Sequence, residues 1–165
     1  MFARAYDRSM AYPGVGDEAP QFTLPGTGGR DYSLEAERGA VVVLVFYPGD
    51  FTPVCTMQLR SYSDDFSAFE AAGATVWGIS PQDVETHERF SESEGGFKFP
   101  LLADVDKEVG RAYEILGPVG FYRRSVFVID AAGVVRYAHR STAGLSFRPA
   151  AELVEAVRAA SAPAG

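Results

Sequence analysis

The apolar positions of this chain change period several times, and the changes mark its elements. Ala40 to Tyr47 (AVVVLVFY) is a continuous run of β-branched and aromatic residues, the pattern of a strand buried on both faces. Pro48, Gly49 and Asp50 stop it. From Pro53 to Ala71 the apolar residues Leu59, Tyr62, Phe66 and Phe69 recur at steps of three and four, which predicts one helix with a single buried face. Thr75 to Ile79 predicts a second buried strand. Ser80, Pro81 and Asp83 then give a helix start, with a hydroxyl cap, an early proline and an acid three residues on; Gly95 and Gly96 end that helix.

Phe99 to Leu102 reads as a short extended piece. Asp104 or Asp106 caps a further helix, with Val105, Val109, Ala112, Tyr113 and Leu116 inward and Gly117-Pro118 as its stop. Ser125 to Asp130 and Val134 to Ala138 flank Ala131-Ala132-Gly133 as a β-hairpin. Pro149 to Ala160 predicts a last helix with Leu153, Val154 and Val157 inward. Parallel crossovers followed by an antiparallel hairpin imply an α/β fold whose mixed central sheet carries helices on both faces. That is the element order of a thioredoxin-like fold. One domain is expected over 16–160, with an N-terminal extension at 1–15 and a tail at 161–165.

Charge and composition narrow the function. A formal net charge of -7 disfavours nucleic acid, which needs clustered Lys and Arg. The first dozen residues hold no run of signal-peptide length, and Ala40 to Tyr47 is too short to span a bilayer. A cytoplasmic protein without membrane association is the expectation. The single cysteine, Cys55, excludes an internal disulfide and any Cys-x-x-Cys exchange chemistry. Clustered His and Cys ligands for a metal are absent from the sequence, and no cofactor is expected. His87 lies in a highly charged helical segment and reads as solvent-facing; His139 lies past a strand end with no fixed place.

Cys55 sits in Pro48-Gly-Asp-Phe-Thr52-Pro53-Val-Cys55-Thr56, after a central strand and within the first turn of the following helix. Open α/β sheets place their sites at such strand ends. Free N–H groups and the positive end of the helix dipole favour an anionic sulfur there, and the anion is the nucleophile. The alternative for the residue alone is a small buried apolar side chain.

Pro48-x-x-x-Thr52-x-x-Cys55 resembles the active-site signature of the peroxiredoxins (AhpC/TSA superfamily). The string Tyr47 to Thr56 is most similar to the Q-type, or bacterioferritin comigratory protein, branch. Gly16–Leu24 resembles the family's first strand, Phe99–Asp104 its middle segment and Arg124–Asp130 its late strand. The resemblance implies a peroxidatic role for Cys55. It implies that Thr52 hydrogen-bonds thiolate and peroxide, and that Pro48 shields the sulfur. It gives Arg124, rather than its neighbour Arg123, the task of holding the thiolate and stabilising developing charge.

Gln58 stands where the branch usually has glutamate, as a secondary site residue. Arg60 stands where many members carry a second cysteine. The resemblance therefore implies a single-cysteine enzyme. It would reduce hydrogen peroxide and organic hydroperoxides through a sulfenic acid, cleared by an external thiol such as thioredoxin, a glutaredoxin-like protein or a small thiol. A monomer or homodimer is expected. The competing function is a thiol-based redox sensor or partner-binding protein that uses Cys55 oxidation as a signal.

Overall fold

The computed structural model describes residues 12–141 and 146–162. Seven strands form one sheet: β1 (Thr23–Gly26), β2 (Arg30–Ser33), β3 (Val41–Phe46), β4 (Ala74–Ser80), β5 (Leu101–Ala103), β6 (Ser125–Ile129) and β7 (Val135–Arg140). Their spatial order is β2-β1-β5-β4-β3-β6-β7. The β5-β4-β3 centre is parallel, and every other pairing is antiparallel. Five α-helices accompany them among the described residues: α1 (Pro53–Asp64), α2 (Phe66–Ala71), α3 (Val84–Ser93), α4 (Glu108–Ala112) and α5 (Ala150–Ser161).

All six residues of β3 are buried, as a strand covered on both faces requires. Alternate residues enter two cores. Val41, Val43, Val45 and Tyr47 meet Leu59 and Tyr62 of α1, Phe69 of α2, Phe90 of α3 and Leu153 and Val157 of α5. Val42, Leu44 and Phe46 face a second core built on Trp77, Tyr113, Tyr122 and Phe127. Its rings meet edge-on, with Tyr113 and Phe127 centroids 5.1 Å apart. The mixed sheet with helices on both faces is the expected architecture.

Several local expectations are corrected. The helix read across Pro53–Ala71 breaks at Asp65, whose N–H still closes the first helix on Ser61. Asp83, not Ser80, caps α3: its carboxylate accepts from the Thr86 N–H at 2.8 Å, while Ser80 ends β4. Val105 and Ala112 are exposed because α4 is one short turn, too brief to turn either inward. Within Gly16–Leu24, Glu18 makes a lone bridge to Val134 and regular strand begins only at Thr23. The β1-β2 hairpin is not among the elements that the apolar pattern predicts. Its signal is Gly28-Gly29, both at positive φ in the turn, where side chains are strained. The strand holding His139 runs on to Arg140, so that residue lies inside β7. Tyr12 donates its N–H to Glu114 Oε2 at 2.6 Å, and the Pro13 carbonyl accepts from Arg140 Nη2 at 2.8 Å. The last part of the expected N-terminal extension is thus tied to the domain. The rest of it, 1–11, and the tail from 163 onward lie outside the described residues.

Asp104 organises the turn after β5 more fully than a cap alone. Its buried carboxylate accepts from the Val109 N–H at 3.1 Å, the Gly110 N–H at 2.9 Å and the Tyr122 hydroxyl. Burial, the adjacent carboxylate and the hydrogen bond to it together hold the Tyr122 hydroxyl far above its usual ionisation range. Asp104→Ala leaves three buried donors unmatched, and the expected loss is about 2–4 kcal/mol. A lower urea midpoint with an unchanged slope is the readout.

Candidate active site

The site forms where β3 ends. Tyr47 still bonds to the sheet, its N–H donating to the Ile79 carbonyl at 3.0 Å, and the chain then turns through Pro48–Thr52 into α1. Thr52 is the N-cap residue in extended conformation, and Pro53 takes the first helical position, where its missing N–H costs nothing. Cys55 is therefore the third residue of α1, within the turn whose N–H groups lack helical partners. Its side chain packs into the first core and is 1% exposed.

The antiparallel register Phe46↔Ser125 brings the start of β6 beside the end of β3. Arg124, immediately before that strand, is buried and reaches Cys55. Its Nη1 donates to Cys55 Sγ at 3.3 Å and to Gln58 Oε1 at 2.6 Å. A guanidinium keeps its charge and offers donors in a fixed plane, so it stabilises negative charge on a sulfur it touches. Arg123 is exposed and points elsewhere.

Gln58 lies one turn after Cys55 and is fully buried. Its amide nitrogen donates to the Tyr62 hydroxyl at 3.3 Å, and that hydroxyl donates to the Arg148 carbonyl at 2.6 Å. The chain of bonds explains the amide. The hydrogen of Tyr62 is committed to the Arg148 carbonyl, so its oxygen needs a donor from residue 58, which a carboxylate lacks. Burial raises the Tyr62 ionisation to about 12, partly offset by the bond from Gln58 and the charge of Arg124.

Thr52 and Pro48 border the same turn. The Thr52 hydroxyl donates to the Gly49 carbonyl at 3.0 Å, leaving its lone pairs to accept from another donor. Its carbonyl takes both the N–H and the hydroxyl of Thr56, at 2.9 and 2.7 Å, which fastens the first turn of α1. Pro48 is half-buried. Arg60 points away from the sulfur and donates to the Glu94 carbonyl at 2.6 Å, joining α1 to the end of α3.

The two histidines fall differently from expectation. His139 is half-buried, and burial with the charge of Arg148 lowers its pKa. His87 is a correction: it is fully buried, not solvent-facing. Its Nδ1 lies 2.6 Å from Asp50 Oδ2 and its Nε2 lies 3.0 Å from the Leu102 carbonyl. Glu85, Glu88 and Arg89 made the segment look exposed, but Val84, His87 and Phe90 recur every three residues and share a face. That spacing was the signal available. Asp50, which the sequence marks only as a strand stop, and Tyr47, whose hydroxyl donates to Asp50 Oδ1 at 2.7 Å, carry no sequence signal for this cluster.

A mixed sheet of this order, with a buried thiol beside a guanidinium at a helix start beyond a parallel strand, places the chain in the thioredoxin-like fold class. The AhpC/TSA family model matches residues 15–138, and the chain belongs to that family. A Mycobacterium tuberculosis protein assigned to the peroxiredoxins by name is 40% identical over 127 residues, 73% of this chain and 80% of its own. The solved structure of Xanthomonas campestris peroxiredoxin Q is 32% identical, with a TM-score of 0.72 over 84% of this chain and 88% of that one. A reduced 2-Cys peroxiredoxin of Plasmodium vivax is 26% identical and superposes with a TM-score of 0.81 over 87% of this chain and 79% of that one. The chain is thus a peroxiredoxin of the Q-type, bacterioferritin comigratory protein kind, a thiol peroxidase with one cysteine. No helix among the described residues is long and apolar enough to cross a membrane.

Proposed function

We propose that Cys55 reduces hydrogen peroxide and organic hydroperoxides and is regenerated by thiols from outside the chain. The Cys55 thiolate attacks one peroxide oxygen, the O–O bond breaks, and the departing alkoxide or hydroxide takes a proton to leave as alcohol or water. The sulfur is oxidised to sulfenic acid. One external thiol attacks that sulfur, releasing water and forming a mixed disulfide. A second thiol displaces Cys55 and leaves with the first as a disulfide. Each cycle consumes one peroxide and two thiols.

The observation that carries this reading is the Arg124 hydrogen bond to Cys55, made inside the core, where a fixed donor acts with little screening. Arg124 would hold charge on sulfur and on the leaving oxygen. Thr52, its hydrogen already committed to Gly49, would accept from the peroxide O–H. Pro48 would limit water around the sulfenic acid. The absence of a second cysteine in the sequence supports external resolution, through thioredoxin, a glutaredoxin-like protein or a small thiol. A protein thiol cannot meet a sulfur that is 1% exposed, so resolution requires the first turn of α1 to open. Dependence on an external reductant fits a thiol-rich compartment such as the cytoplasm, with the 16–160 domain acting as a monomer or homodimer.

The test is steady turnover. Protein, hydrogen peroxide, thioredoxin, thioredoxin reductase and NADPH together should oxidise NADPH continuously, and glutaredoxin or a small thiol can replace thioredoxin in parallel arms. One equivalent consumed and then nothing, with every donor, would instead describe a redox sensor.

A further inference from the structure

Three fully buried polar side chains beneath the active-site turn have no part in the chemistry above: Tyr47, Asp50 and His87. The Leu102 carbonyl can only accept, so His87 Nε2 donates to it. The other ring nitrogen meets Asp50 Oδ2 at 2.6 Å. Asp50 takes the Tyr47 hydroxyl on its other oxygen, and its own N–H donates to Gln82 Oε1 at 3.1 Å. Asp50 is therefore fastened to β5 and α3 through His87, and to the loop after β4 through Gln82.

The fastening matters because of the next residue. Phe51 has φ of 64°, in the left-handed region, without being glycine. Such strain persists where surrounding bonds over-determine it, and it clusters at functional sites. Phe51 lies between anchored Asp50 and Thr52, and its ring packs on Phe90 of α3 at 5.1 Å. Three residues beyond Thr52 is Cys55. Burial and the Asp50 carboxylate hold the Tyr47 hydroxyl well above its usual ionisation range, and the nearby Cys55 adds to the same effect.

We propose that His87 is a positioning residue for peroxide attack: by holding Asp50 against β5, it fixes the strained turn that sets Thr52 and the start of α1 around Cys55. The inference rests on Cys55 as the reacting group. His87 does not touch the sulfur and transfers no proton to it; it acts through Asp50.

Two neutral replacements separate this role from simple core filling. The amide nitrogen of His87→Asn falls near the Nδ1 position and can donate to Asp50 but cannot reach Leu102. That of His87→Gln falls near Nε2 and can donate to Leu102 but leaves Asp50 unheld. Both lose one bond, so comparable urea midpoints are expected. His87→Asn should react with hydrogen peroxide within about threefold of the parent, whereas His87→Gln should be slower by about 10²-fold, the scale for an ångström of misplacement. Equal rates in the two variants, or rates that follow their stabilities, would overturn the proposal. Should His87→Gln not fold, Asp50→Ala takes its place with the same expected loss, and a rate like the parent's overturns the proposal. Alkylation of Cys55 by iodoacetamide is measured alongside. If the parent ignores peroxide, the assignment of Cys55 fails, and the alkylation ratio of the two variants still decides the positioning role.

Discussion

Cys55→Ser is expected to give a folded protein that consumes no hydroperoxide with any thiol donor. Serine is nearly isosteric, and its oxygen can still accept from Arg124 Nη1, so the buried guanidinium keeps a partner. What disappears is the nucleophile. A hydroxyl stays protonated at neutral pH where a thiol can ionise, and oxygen lacks the polarisable electrons with which sulfur opens an O–O bond. The sequence holds no second cysteine to take over. NADPH consumption in the coupled assay should fall to the protein-free rate, with the far-ultraviolet spectrum and urea midpoint close to the parent's. Retained turnover would refute the role given to Cys55.

Arg124→Ala should slow peroxide attack by roughly 10²–10³, the loss seen when one fixed electrostatic donor is removed from a site. The reason is the double reach of one nitrogen, to Cys55 at 3.3 Å and Gln58 at 2.6 Å. Gln58 holds the guanidinium in line with the sulfur, so the donor needs no reorganisation when charge develops. Single-turnover mixing with hydrogen peroxide isolates this step from resolution by thiols. Arg124→Lys should fall between parent and alanine, because an ammonium keeps the charge but not the planar fork. Arg123→Ala should leave the rate near the parent's, since that side chain is exposed. A parent-like rate in Arg124→Ala would move the electrostatic role to another group.

Legibility in the sequence tracked the range of the signals. Strands β3 and β4 and helix α5 were readable because their apolar runs and periods are local and strong. The β1-β2 hairpin was missed because its strands are four residues long and one holds Pro25. One long helix is the expectation across Asp65 because the apolar period continues through the break. Arg124 was found through family resemblance. Strand pairing leaves no mark on local periodicity, and Arg124 lies 69 residues from the sulfur it touches. The charged neighbours of His87 predict solvent exposure for it. A histidine in a core is tolerated where both nitrogens have polar partners, and those partners, Asp50 and Leu102, come from other parts of the chain.

The sequence by itself determined the junction: a buried strand, a Pro-Gly stop and a proline-led helix put the lone cysteine in a first helical turn, since each of those choices rests on neighbours a few residues apart. Only the tertiary structure decided what surrounds the sulfur. The β3-β6 register brings Arg124 to it, Tyr62 gives Gln58 its orientation, and His87 closes over Asp50. Those contacts join distant segments, and the free energy that selects them comes from burying both members of each pair at once.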